Sequence, residues 1–266
     1  MPKIGVNGIE LYYELLGPED GEVLVLSNGI LMSTASWYLQ KPALSKRNRL
    51  LLYDCRGMWR SDHPAGPYTM ELHADDLALL LDALGIDSAH IGGISYGGEV
   101  SMAFALKYPQ RVRSLILSST VSESDALLCG MIGAWREEVA AKRAESFFKA
   151  SYWQNYSAAY IDANQAALAA AAQRYKDLDF DAVLELIDCF LRFNITGRLP
   201  EIKSPTLVMV GEQDILKPRK YAEIIANHIG GAELAVVPGS GHALCLEKPD
   251  IFNTLVLGFL TKHKDQ

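Results

Sequence analysis

Three polar residues, each placed just after a short apolar run, have the side chains that nucleophilic catalysis requires. They are Ser95, Asp214 and His242. A serine hydroxyl is a weak nucleophile near neutral pH, so an imidazole must accept its proton during attack and later return it to the leaving group. An aspartate fixes the imidazole tautomer and stabilises the imidazolium that forms. The three residue types together could therefore transfer an acyl group through Ser95.

Ser95 stands in the pattern G-x-S-x-G, between Gly93 and Gly97. This pattern places a serine on a tight turn between a strand and a helix, where the backbone tolerates no large neighbours. A tetrahedral oxyanion also needs hydrogen-bond donors, and the backbone N–H of Tyr96, next after the serine, can supply one. We expect the second donor from the loop that follows Leu26, at Ile30.

Taken alone, Asp214 could be an ordinary turn aspartate and His242 an ordinary histidine of a surface loop. Their positions together favour catalysis. Each of the three residues follows a different predicted strand, and parallel strands deliver their carboxyl ends to one edge of a sheet. The chain order Ser, Asp, His is also the order found in serine hydrolases built on such a sheet.

The elements that must position these residues alternate along the chain. Asn7-Gly8 predicts a tight hairpin between strands at 4–6 and 9–16. After the hairpin, the sequence alternates between continuous apolar runs, which are typical of buried parallel strands, and periodic segments, which are typical of helices. The further predicted strands are 23–27, 50–53, 88–91, 112–117, 206–210 and 234–237, and the predicted helices are 36–44, 70–84, 98–107, 219–228 and 250–260.

Strand signals are absent from 121–200, which is rich in alanine and helical in pattern. We interpret this segment as a helical lid inserted into a core domain formed by 1–120 and 201–266. The expected fold is α/β, with a mostly parallel sheet, an N-terminal antiparallel hairpin and helices on both faces. Most aromatic residues of the insertion should form its own core, and a few, Trp153 among them, should line a substrate pocket.

Composition narrows the class of protein. The chain has 266 residues, 49% of them hydrophobic, and a formal net charge of −7 without a basic run, so nucleic-acid binding is not expected. The four cysteines are widely spaced, which suggests neither a metal site nor a disulfide framework. The first residues do not resemble a signal peptide, and no apolar run reaches the about 18 residues of a membrane span. We therefore expect a cytoplasmic protein without a cofactor; its oligomeric state stays open.

From 9 to 260 the chain resembles the α/β-hydrolase fold superfamily. The resemblance is carried by 93–98 as the nucleophile turn, 211–214 as the acid loop, 239–242 as the histidine loop, and Asp54-Cys55-Arg56-Gly57. It implies a Ser95–His242–Asp214 triad. Two positions depart from the common family pattern: Asn28-Gly29 stands where many members have His-Gly, and Trp59 stands where a glycine is usual.

The loop 28–37 resembles two branches of the superfamily, the 3-hydroxyacyl transacylases and the enol-lactonases. It predicts substrate contacts from Asn28, Gly29 and Leu31, with the apolar run 30–32 favouring a hydrophobic acyl or ring group. The first hypothesis is a serine hydrolase that cleaves an ester, lactone or thioester of an apolar acyl group. The alternatives are an acyltransferase acting on 3-hydroxyacyl groups carried by coenzyme A or acyl carrier protein, and a ligand-binding protein that retains the fold without catalysis.

Overall fold

The computed structural model describes residues 2–264 and contains one eight-stranded sheet. The strand order is β1-β2-β4-β3-β5-β6-β7-β8. The first two strands are antiparallel to their neighbours, and all pairs from β4 to β8 are parallel. The strands are β1 (Lys3–Val6), β2 (Ile9–Leu16), β3 (Val23–Ser27), β4 (Arg49–Tyr53), β5 (Ala89–Ile94), β6 (Val112–Ser118), β7 (Thr206–Gly211) and β8 (Glu233–Val237).

Helices follow most strands, as the alternating pattern predicts. The helices are α1 (Lys41–Leu44), α2 (Met70–Ala83), α3 (Tyr96–Lys107), α4 (Ala126–Ala140), α5 (Ala144–Asn155), α6 (Ala158–Ala163), α7 (Gln165–Arg174), α8 (Phe180–Leu191), α9 (Arg219–His228), α10 (Leu244–Glu247) and α11 (Pro249–Lys262). Among residues 2–264, no helix combines the length and the apolar character needed to cross a membrane.

The sheet is covered on both faces. Along β3, Leu24 and Leu26 pack into a cluster with Phe252 and Val256 of α11, whereas Val25 packs into the opposite cluster with helices α2, α3 and α9. This alternation is the two-residue period of a strand, and burial on both faces explains why the parallel strands have continuous apolar sequences. The predicted α/β architecture, with its N-terminal antiparallel hairpin, is confirmed.

Two predicted elements have different bounds in the structure. The single helix expected over 36–44 is divided into a 3-10 helix at Thr34–Trp37 and the short α1. Pro42 explains the break, because it has no N–H to bond the carbonyl four residues earlier. Strand β5 continues beyond 91 to Ile94, because Gly92 and Gly93 pair by backbone hydrogen bonds with β3 and β6.

The segment between β6 and β7 contains five helices, α4 to α8. Among the described residues, the pairing of β type outside the named strands is limited to one isolated bridge, which joins Glu123 to Asn194. Helices α4 and α8 pack against each other through buried residues such as Leu128, Val183 and Ile187. We call residues 121–200 the helical segment below.

Candidate active site

The turn between β5 and α3 holds Ser95 in a strained backbone conformation, with φ 56° and ψ −120°. Neighbouring backbone leaves no room for larger residues. A Cβ on Gly93 would lie 2.3 Å from the carbonyl carbon of Gly97, and a Cβ on Gly97 would lie 2.1 Å from the carbonyl oxygen of Ser27. The two glycines of the sequence pattern are therefore required by close approach, and the strain marks Ser95 as a functional candidate.

Asp214 follows β7 and His242 follows β8, and their side chains meet. His242 Nδ1 lies 2.9 Å from Asp214 Oδ2, and both side chains are almost completely buried. The backbone N–H of Lys217 donates to the other oxygen, Asp214 Oδ1, at 2.8 Å. Because a carboxylate only accepts hydrogen bonds, Nδ1 carries the imidazole proton and Nε2 remains available as an acceptor.

Ser95 and His242 both line one cavity of about 190 Å³ at the carboxyl edge of the sheet. Its floor is formed by the turn at Ser95 and by the loop after β3. Its walls come from the helical segment, through side chains of α4, α5, α7 and α8. The site therefore lies between the sheet and the helical segment, as expected of a ligand pocket at the edge of a parallel sheet.

The two predicted oxyanion donors are also at this cavity. Ile30 and Tyr96 line it together with Ser95. Tyr96 is the first residue of α3, so its N–H has no acceptor within the helix. Within the described chain neither the Ile30 N–H nor the Tyr96 N–H has a hydrogen-bond acceptor. Both groups are therefore available to an oxyanion formed at Ser95.

Asn28 has a structural position that the sequence does not predict. Its side chain is fully buried and is not part of the cavity. It donates to the carbonyl oxygen of Tyr53 at 2.9 Å and to Asp54 Oδ1 at 3.2 Å, and it accepts from Trp37 Nε1 at 2.7 Å. The structure thus places the polar atoms of the predicted substrate contact Asn28 in bonds that hold the loop, and not at the cavity wall.

Of the other predicted substrate contacts, Gly29 and Leu31 line the cavity and Trp153 does not. Trp153 is 47% exposed on the outer side of α5. The residues of α5 that line the cavity are spaced three or four positions apart and therefore share one face of the helix; they are Phe148, Ser151, Tyr152 and Asn155. Trp153 lies between two of these positions and therefore points away from the cavity.

Sequence reasoning missed a buried ion pair at the cavity. Lys217 Nζ lies 2.6 Å from Glu99 Oε1, with the two side chains 4% and 0% exposed. Burial raises the pKa of Glu99, and the Lys217 ammonium opposes this change. The sequence places each residue close to a triad candidate, since Glu99 follows Ser95 by four residues and Lys217 follows Asp214 by three, but it does not indicate that the two side chains pair.

Comparison with known proteins identifies the family. A family model described as alpha/beta hydrolase fold matches residues 22–249. The chain belongs to this family. Across 97% of its length it is 33% identical to a protein of Azorhizobium caulinodans named "Putative carbamate hydrolase RutD", of which the match covers 98%.

Two solved structures are similar to this chain over nearly all of both chains. The enol-lactonase from Burkholderia xenovorans LB400 has a TM-score of 0.91 at 27% identity, covering 98% of this chain and 100% of that one. A thermophilic esterase from Thermogutta terrifontis has a TM-score of 0.90 at 26% identity, covering 99% of each chain. These relatives are all named as hydrolases, and the chain is accordingly an α/β-hydrolase.

Proposed function

We propose that this hydrolase cleaves an ester, lactone or thioester through an acyl-serine intermediate at Ser95. The observation that carries the proposal is the arrangement of three loops at one sheet edge. These loops bring the strained Ser95 and the hydrogen-bonded pair His242–Asp214 together at one cavity, and the loop after β3 adds the Ile30 N–H beside that of Tyr96. An ester or lactone substrate is consistent with the similarity to an enol-lactonase and an esterase.

In the first half-reaction His242 Nε2 accepts the proton of Ser95 Oγ while Oγ forms a bond to the substrate carbonyl carbon. The carbonyl oxygen becomes an oxyanion and accepts hydrogen bonds from the N–H groups of Ile30 and Tyr96. The bond to the leaving oxygen or sulfur then breaks, and His242 returns the proton to that atom. Asp214 stabilises the imidazolium throughout.

In the second half-reaction a water molecule attacks the acyl-serine, and His242 accepts its proton. The new tetrahedral oxyanion accepts hydrogen bonds from the same two N–H groups. As it collapses, the bond to Ser95 Oγ breaks, His242 returns the proton to Oγ, and the free acid is released. The helical segment acts as a lid that limits how much water reaches the acyl-serine. Apolar side chains from the loop after β3, such as Leu31 and Met32, favour an apolar acyl chain next to the reacting carbon.

The test is the loss of Ser95. We expect Ser95→Ala to abolish the hydrolysis of short nitrophenyl esters and the labelling by a fluorophosphonate probe. Ser118→Ala is the matched control, because Ser118 is a buried serine at the end of β6 whose hydroxyl has no partner in the described chain and does not line the cavity. Activity or labelling that persists in Ser95→Ala refutes the proposal.

A product assay separates hydrolysis from acyl transfer. Wild-type protein is given an activated acyl donor in water together with a 3-hydroxyacyl acceptor. We expect free acid as the product. Acyl transfer to the added hydroxyl would instead assign the chain to the acyltransferases, with an acyl group that coenzyme A or acyl carrier protein could deliver.

A further inference from the structure

The cavity wall carries one charge that no neighbouring side chain neutralises. The acidic and basic residues that line the cavity are Glu99, Arg174, Lys217 and His242. Lys217 pairs with Glu99 at 2.6 Å, and His242 bonds Asp214 at 2.9 Å. The Arg174 guanidinium forms neither a hydrogen bond nor an ion pair within the described chain. The cavity therefore presents one uncompensated positive charge.

Arg174 is open to a ligand. It is the last residue of α7, and its side chain is exposed at the mouth of the cavity. A cation at the C-terminal end of a helix also interacts favourably with the helix dipole, and this is the purely structural role that an experiment must separate from binding. The whole chain has a net charge of −7, so the overall charge of the protein does not attract anions. Attraction of an anion to this cavity would come from Arg174 itself.

A second polar group lies within electrostatic reach of Arg174. Tyr156 lines the cavity, and its hydroxyl has no hydrogen-bond partner among residues 2–264. Neighbouring atoms do not seal this hydroxyl from solvent. Burial raises the pKa of Tyr156 above its ordinary value, and the nearby Arg174 charge opposes that rise. The guanidinium and the phenol therefore act on the same region, and both are free to donate hydrogen bonds to a ligand.

The backbone places Tyr156 beside the histidine loop. The N–H of Ala243, next to His242, donates to the carbonyl oxygen of Asn155 at 2.8 Å. On the other side of His242, a Cβ on Gly241 would lie 2.7 Å from the carbonyl carbon of Tyr156. In the proposed reaction His242 returns its proton to the leaving atom. The part of the substrate attached to that atom is therefore the part closest to Tyr156 and Arg174.

The donors at this place define the chemistry of the ligand group. A guanidinium presents parallel N–H groups that match the two oxygens of a carboxylate, and a phenol O–H donates one further hydrogen bond. One positive charge balances one negative charge. A carboxylate fits this set, whereas a carboxamide of the same size would gain no ion pair with Arg174.

We propose that the substrate carries a carboxylate on its leaving-group side, and that Arg174 and Tyr156 bind this carboxylate. The inference rests on the proposed acyl-serine reaction and narrows its substrate class to esters whose alcohol part is an anion. The apolar residues of the loop after β3, such as Leu31 and Met32, remain on the side of the acyl group. The two ends of the cavity would thus select the two halves of the ester by different chemistry.

The experiment measures kcat/KM at pH 8 for 3- and 4-carboxyphenyl acetate, each against the corresponding carboxamide. Division by the hydroxide-catalysed rates removes differences in leaving-group reactivity. For at least one ring position we expect wild type to prefer the carboxylate about fivefold, the effect of one partly exposed ion pair. We expect Arg174→Gln, which keeps polar hydrogens and removes the charge, to lower this preference about threefold or more. Tyr156→Phe should lower it about twofold or more, because the ring stays and one donor is lost.

Ionic strength gives a second measurement of the same interaction. Raising the salt concentration from about 0.01 M to about 1 M shortens the Debye length from about 30 Å to about 3 Å. We expect the wild-type preference for the carboxylate to fall with salt, and the preference left in Arg174→Gln to respond much less. A role of Arg174 confined to the helix dipole would lower the melting temperature of the variant without changing the ratio of the two rates.

Lys176→Gln is the matched control. Lys176 is exposed two positions from Arg174, its Nζ donates to Gln173 Oε1 at 2.7 Å, and it does not line the cavity. This variant changes the net charge by the same amount as Arg174→Gln, and we expect it to keep the wild-type preference. An equal loss in both variants would show a general effect of charge and would overturn the inference.

A wild-type ratio near one at both ring positions also overturns the inference, as does a preference that survives in Arg174→Gln. Nitrophenyl glutarate and its carboxamide place the same two groups on the acyl side. An effect of Arg174→Gln confined to that pair would refute the leaving-group assignment. The neutral carboxamide esters keep these results separate from the proposed function. Wild type that hydrolyses them, together with Ser95→Ala that does not, supports the acyl-serine reaction whatever the ratio shows.

Discussion

Replacing Asn28 by alanine tests whether this residue holds the loop after β3, which carries the proposed oxyanion donor Ile30, or contacts substrate. The Asn28 side chain joins three parts of the structure: Trp37 in the 3-10 helix, Tyr53 at the end of β4 and the buried carboxylate of Asp54. It immediately precedes Gly29 and Ile30, which line the cavity. Asn28→Ala removes all three hydrogen bonds and adds no new group.

The size of the effect follows from what is left unpaired. Trp37 is fully buried and its Nε1 would lose its partner, which destabilises the protein by about 1–3 kcal/mol. Asp54 would lose one bond and keep those from the N–H groups of Thr34 and Arg60, a change of about 1 kcal/mol. The free energy of unfolding should fall by about 2–4 kcal/mol, equivalent to a Tm lower by roughly 5–15 °C in a chain of this size.

The assay combines thermal melting with kinetics on nitrophenyl acetate. We expect a lower Tm and a lower kcat, because the Ile30 N–H loses its fixed position, and a KM within about twofold of wild type. Trp37→Phe and the double variant complete a cycle, and we expect a coupling of about 1 kcal/mol between the two side chains. If Asn28→Ala melts like wild type while KM rises tenfold, Asn28 binds substrate and the structural interpretation is wrong.

Three further predictions concern the turn, the acid and the thiols. In a denaturant titration, Gly97→Ala should lower the free energy of unfolding by about 3 kcal/mol or more, because its Cβ would lie 2.1 Å from the carbonyl oxygen of Ser27. Gly130→Ala is the control: this residue of α4 has open space around it, so alanine should raise the free energy of unfolding by about 0.5–1 kcal/mol. Asp214→Asn should lower kcat about 10⁴-fold, and a kcat near wild type would exclude Asp214 from catalysis. Burial raises the pKa of Cys55, Cys189 and Cys245 to about 12, whereas Cys129 is exposed. A disulfide reagent at pH 8 should therefore react with one thiol in the native protein and with four after denaturation. Rapid reaction of all four thiols in the native protein would contradict the fold.

Local signals were sufficient for most of the core. Strand β3 and helix α9 have the bounds that their sequences predict, because a continuous apolar run or a helical period specifies one kind of burial. The hairpin at Asn7-Gly8 forms as expected, with both residues at positive φ. The loops of Asp214 and His242 meet because parallel strands end at the same edge of the sheet. The alternation of strands and helices in the sequence already indicates that parallel arrangement.

The positions that the sequence did not predict belong to residues whose surroundings depend on distant parts of the chain. Asn28 stands in a loop that resembles a substrate-binding loop, but Trp37 and Asp54 use its polar atoms. Trp153 is aromatic and lies in the helical segment, yet the rotation of α5 around its axis decides which residues face the cavity. Glu99 and Lys217 are 118 positions apart, and only the folded chain shows that they pair.

The contacts of the histidine loop with the helical segment limit how far that segment can be regarded as a separate lid. The N–H of Ala243, next to His242, donates to the carbonyl oxygen of Asn155 at 2.8 Å. The Glu247 carboxylate accepts from the N–H of Gly241 at 3.0 Å and from the N–H of Ser157 at 3.2 Å. On one side of His242 the bond goes directly to Asn155, the last residue of α5, and on the other side Glu247 joins Gly241 to Ser157, the N-cap of α6. A core lacking 121–200 would leave the Ala243 N–H without its acceptor. The orientation of the imidazole therefore depends on the helical segment as well as on the sheet, and a movement that opened the cavity at Asn155 would also displace His242, the proposed general base.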